Sequence, residues 1–88
     1  MKTVWSFIGL HSRQPSGVFS GFEAAEDWVR RNKLSGTLSE FPLDVGTYDH
    51  AIANELFAPK KDHQNTPDFI ADFSSRLDHF HYEDGARQ

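Results

Sequence analysis

The sequence predicts an α+β fold: a small sheet of about four strands in the order β-β-α-β-α-α-β, with two to three helices packed mainly on one face. Three observations predict it. Ser16-Gly17 opens a short apolar run at Val18-Phe19, and Ser35-Gly36 opens another over residues 37–39. Between these two punctuation marks lies an amphipathic helical pattern. Near the end of the chain, residues 77–83 alternate with a period of two, with Phe80 and Tyr82 on one side and His79 and His81 on the other.

Residues 3–10 read as the first strand. Trp5 and Phe7 point one way and Val4, Ser6 and Ile8 the other, so both faces carry apolar groups, as in a strand interior to a sheet. The loop over 11–17 contains Pro15 and Gly17, and residues 18–20 read as the return arm of a hairpin. Ser20 and Glu23 have capping-box spacing at the start of the first helix. Glu23, Glu26 and Asp27 suit the positive end of its dipole, and Arg30, Arg31 and Lys33 the negative end. Phe22, Ala25, Trp28, Val29 and Asn32 make its narrow inner stripe, and Ser35-Gly36 stops it.

Residues 37–43 form a third strand that ends, or runs along an edge, at Pro42 because proline has no ladder donor. Asp44-Val45-Gly46 is a turn. Thr47 is placed to cap a second helix over 48–57, with Tyr48, Ala51, Ile52 and Leu56 on one side and Pro59 beyond its end. Thr66-Pro67-Asp68 is a helix start with a hydroxyl cap and proline at the first position, followed by Phe69, Ile70 and Phe73. Residues 84–88 read as a frayed end.

At 88 residues the chain reads as a single compact domain over 1–88. A domain this small buries roughly 60–65% of its unfolded surface, so its stability margin is narrow. It contains no cysteine, which excludes disulfides, thiolate zinc sites and iron–sulfur clusters. Eight Phe, two Trp and two Tyr must carry the core. The first residues predict a strand, not a signal peptide or membrane span, so no membrane association and a cytoplasmic location are expected. Residues 62–88 carry the whole net charge of −4, which argues against nucleic acid as a partner.

No catalytic residues emerge. There is no P-loop, no G-x-G-x-x-G, no H-E-x-x-H and no serine in a nucleophile-elbow context. Asp49 adjoins His50, but neighbours on a helix point about 100° apart, so the aspartate does not orient the imidazole. His79 and His81 project from one strand face and can supply two metal ligands. A third would have to come from His11, His50 or His63, and the competing reading is a half-exposed strand face. Trp5 and Trp28 read as core. Tyr48, Phe57 and Tyr82, each near an element end, are open between core and partner surface.

Ser16-Gly17-Val18-Phe19, residues 25–29 (AEDWV), residues 34–38 (LSGTL), Phe41-Pro42-Leu43, Tyr48-Asp49-His50-Ala51 and residues 79–85 (HFHYEDG) carry a resemblance across nearly the whole chain. In these pieces the sequence resembles an uncharacterised family of small bacterial domains of unknown function. The resemblance implies a stand-alone cytosolic domain and no activity, cofactor or site residue.

The residues together predict a non-catalytic protein-interaction or binding module without a cofactor, acting through an aromatic–acidic surface near the C-terminal strand. Its binding candidates are Tyr48, Asp49, His50, His79, His81 and Tyr82, and its partner is another protein or a second copy paired along a strand edge. The alternative is a metal- or small-ligand-binding domain using His79 and His81, with weak hydrolytic activity.

Overall fold

A computed structural model describes residues 2–88. The chain falls into two compact units: a sheet unit, running up to Leu43 and resuming over Arg76–Gln88, and a helical unit, Asp44–Ser75.

Among the described residues the sheet unit holds five strands, β1 (Thr3–Gly9), β2 (Pro15–Phe19), β3 (Gly36–Pro42), β4 (His79–Glu83) and β5 (Ala86–Arg87), with one helix, α1 (Phe22–Arg31). The strands lie in the order β2-β1-β3-β4-β5 and every pair is antiparallel. β1 and β3 pair along their full length, from Thr3 opposite Pro42 to Gly9 opposite Gly36. Pro42 is therefore the last residue of an interior strand, where its missing donor costs no ladder bond. At the other end of that pairing, a Cβ on Gly36 would collide with the Ile8 carbonyl, so only glycine allows the two backbones to close.

Alternation along the strands gives one face to α1. Trp5, Phe7, Leu38 and Tyr82 pack there against Ala25 and Val29, with Phe19, Phe22, Trp28, Leu34 and Phe80 around them. Trp5 lies edge-on to Phe22 at 5.0 Å between ring centres, and Phe7 edge-on to Trp28 at 5.8 Å.

Several expectations change. The sheet has five strands rather than about four. The residues expected as a frayed end over 84–88 form the hairpin β4–β5. Asp84 (φ 51°) and Gly85 (φ 84°) both take positive φ, the conformation of a two-residue type I′ turn. The turn is anchored: the Gly85 N–H donates to the Leu34 carbonyl (2.8 Å) and the Asp84 N–H to Ser35 Oγ (2.9 Å). Of the helices, α1 alone belongs to the sheet unit. α1 starts one residue later than the capping-box reading requires, with Gly21 at the N-cap and no side-chain cap bond. It ends before Ser35-Gly36 in a Schellman motif: the Lys33 N–H reaches the Arg30 carbonyl and the Leu34 N–H that of Val29, with Lys33 at φ 53°.

The helical unit contains α2 (Thr47–Ala53), a 3₁₀ turn (Asp62–Asn65) and α3 (Pro67–Asp72). α2 is shorter than the expected 48–57. It closes in a second Schellman motif, with Glu55 at φ 58°, its N–H on the Ile52 carbonyl and the Leu56 N–H on that of Ala51. Thr47 does not cap it; its hydroxyl donates to the Phe73 carbonyl (2.9 Å) and ties α2 to the residue after α3. The expected start of α3 holds: Thr66 Oγ1 accepts the Phe69 N–H and Pro67 is the first helical residue.

Candidate functional site

β4 sorts its side chains by alternation. Phe80 and Tyr82 enter the core and His79, His81 and Glu83 are exposed on the opposite face. The two imidazoles lie 5.2 Å apart between ring centres, with planes at 86°. Thr37, paired with His81 across the β3–β4 ladder, holds its hydroxyl 3.1 Å from His81 Nδ1. Ser39, opposite His79, accepts a hydrogen bond from Arg76 Nη1 (3.4 Å). The pair is an accessible set of two metal-ligand side chains. Among the described residues, no three His, Asp or Glu side chains converge on one point, so His11, His50 and His63 supply no third ligand.

Tyr82 is 4% exposed, which removes it from any contact surface. Its hydroxyl donates to Glu26 Oε2 at 2.7 Å. Glu26, on the inner side of α1 with a side chain only 10% exposed, also accepts from Arg87 Nε to Oε2 and Arg87 Nη2 to Oε1, both 2.8 Å. Arg30 Nη2 adds a contact to Oε1 at 3.2 Å. The Arg87 guanidinium lies over the Phe80 ring at 4.9 Å and the Phe22 ring at 5.3 Å. Burial raises the Glu26 carboxyl, but the hydrogen bonds from Tyr82 and Arg87 and the charges of Arg87 and Arg30 outweigh it and hold the group below its ordinary value. Burial, then the bond to Glu26 and its negative charge, push the Tyr82 phenol up to about 12. Both oxygens of the Glu26 carboxylate are engaged, so the cluster clasps β5 to α1. In the sequence Glu26 stands out only as an acid suited to the helix N-terminus. Its position beside Ala25 in the helical stripe was the available signal.

Tyr48, Asp49 and His50 lie in the helical unit and part company. Tyr48 is buried at 6% exposure, and its hydroxyl donates to the Gln64 carbonyl (2.7 Å) and Asn65 Oδ1 (3.0 Å). Its ring meets those of Phe57, Phe69 and Phe73 at 5.5–6.2 Å between centres. His50 is buried and Asp49 exposed. Tyr48 and His50 are therefore packing residues. Asp49 does face solvent, at the first turn of α2. No nucleophile–base pair forms around these residues.

The sheet unit also has an open depression of about 560 Å³ lined by Lys2, Thr3, Val4, Ser20 and Leu43. The Thr3 hydroxyl there is committed to Glu40 Oε2 at 2.6 Å. No helix among the described residues is long and apolar enough to cross a membrane.

Residues 4–88 match the model of a family described as "Domain of unknown function (DUF7710)". The chain belongs to this family. The match begins inside β1 and takes in both units, so the family is defined over the sheet and the helical insertion alike. No curated protein and no solved structure matches the chain. The DUF7710 description assigns the family no activity, and nothing in the geometry of the described residues indicates catalysis.

Proposed function

We propose that the chain is a non-catalytic interaction module whose helical unit takes a basic, apolar segment of a protein partner. The observation that supports this reading is the surface of Asp44–Ser75. Ile52, Leu56 and Ile70 stay 39%, 65% and 39% exposed there, although Tyr48, Phe57, Phe69 and Phe73 already give the unit an aromatic centre. The same unit carries six acids (Asp44, Asp49, Glu55, Asp62, Asp68, Asp72) against Lys60 and Lys61, while the remaining residues balance at seven of each sign. Exposed aliphatic groups among unneutralised acids are complementary to a cationic amphipathic segment. Such a surface repels nucleic acid. The aromatic–acidic surface expected beside the C-terminal strand gives way to this one because Tyr82 is buried. The cysteine-free composition suits a bacterial cytoplasmic protein, which folds without oxidative cross-links.

The test uses a fluorescent amphipathic helix of Leu and Lys, read by anisotropy, beside a peptide of the same composition with scrambled order. The amphipathic peptide binds saturably and more weakly as salt rises, and Leu56→Ser weakens it about fivefold, the worth of a partly buried leucine. Equal binding of the two peptides, or an unaltered affinity in Leu56→Ser, overturns the proposal.

A further inference from the structure

We propose that His79 and His81 form a two-imidazole chelate for a divalent transition-metal ion, zinc above all, on the open face of β4. The strand puts the two side chains on one side by its period of two. Phe80 and Tyr82 do the packing, so neither imidazole is needed in the core. The 5.2 Å between ring centres matches what one tetrahedral ion demands: two imidazole nitrogens at 2.0–2.1 Å from zinc place their ring centres about 5 Å apart. The Thr37 hydroxyl engages His81 Nδ1 and leaves Nε2 as the free nitrogen, the second-sphere arrangement that orients metal-bound histidines. Charges nearby are mixed: Asp78 precedes the pair and Glu83 follows it, while Arg76 bonds Ser39 opposite His79. Two protein ligands leave two positions on the ion for water or for donors of a bound molecule, as in open rather than structural zinc sites. With half the ligands of a structural site, the expected Kd is about 1–100 μM.

The experiment is a titration of the whole protein with zinc chloride at neutral pH, followed by NMR of all five imidazoles and by calorimetry. His79 and His81 resonances shift together, saturate at one equivalent and return on adding EDTA, while His11, His50 and His63 stay in place. His79→Ala and His81→Ala each weaken binding at least tenfold. Both residues are exposed, and Trp5 and Trp28 fluorescence checks that the variants remain folded. Thr37→Val keeps a β-branched residue in the strand and weakens binding several-fold through loss of the Nδ1 partner. Absence of saturable shifts up to millimolar zinc overturns the proposal. So does a response led by another histidine, or undiminished affinity in the two alanine variants.

Discussion

The two units of this chain are built on opposite terms. The sheet unit joins residues far apart in sequence: β1 to β3, α1 to the last strand, and Gly85 to the end of α1. It buries Phe7, Ala25, Val29 and Leu38 to 1% exposure or less and carries no net charge. The helical unit closes around the Tyr48 ring through partners no more than 26 residues away, leaves Ile52, Leu56 and Ile70 in water as the sheet unit leaves Leu10 and Val18, and holds the entire charge of −4. Both units keep aliphatic groups in water, but only the helical unit sets them among acids in excess, and that combination marks it as a recognition surface.

The largest expected effect comes from breaking the sheet core. Phe7→Ala removes a side chain at 1% exposure and lowers stability by about 3–5 kcal/mol. Trp5 and Trp28, both in the sheet unit, report the loss by fluorescence in a denaturant titration. Amide exchange over 47–72, measured in the same variant, shows whether the helical unit opens with it or separately.

A smaller effect attaches to the clasp. Glu26→Gln leaves the Tyr82 hydroxyl and Arg87 without their carboxylate and costs about 1–3 kcal/mol at neutral pH. Because the folded carboxyl lies below its ordinary value of 4.5, the wild-type advantage is whole above that pH. It fades as pH falls through the folded value, so the two proteins converge in acid. Tyr82 gives the mirror image: its raised phenol adds stability that is whole below pH 10 and is lost as pH rises through about 12. Chemical denaturation across pH, with tyrosinate absorbance at the alkaline end, checks both limbs.

The smallest effect treats the two units alike. Lys33 and Glu55 both occupy the left-handed residue of a Schellman motif, one in each unit. Lys33→Gly and Glu55→Gly each relieve that conformation and raise stability by about 0.5–1 kcal/mol. A gain at Lys33 with none at Glu55, measured by thermal melting, would show that α2 contributes little to cooperative unfolding.

Local chemistry determined much of this protein. The alternation of Trp5 with Phe7 and of Phe80 with Tyr82, the inner stripe of α1, and the Thr66-Pro67 start of α3 all rest on contacts within a few residues, which pattern and propensity capture. The I′ hairpin at Asp84-Gly85 was legible too, in a dipeptide whose positive φ values are its signature, and was obscured by its place near the chain end. The exposed His79–His81 pair also follows from strand alternation alone. Only the tertiary structure decided the rest. Tyr48 and Tyr82 become core residues because hydroxyl partners arrive from Gln64, Asn65 and Glu26. Glu26 becomes a buried hub because Arg87, 61 residues later, folds back onto it. Thr47 and Ser20 have equally good capping sequences, yet neither caps: the Thr47 hydroxyl finds Phe73 instead, and α1 begins after Gly21. A polar side chain's role depends on which partner reaches it in the folded state, and that partner's distance along the chain is what a local pattern does not encode.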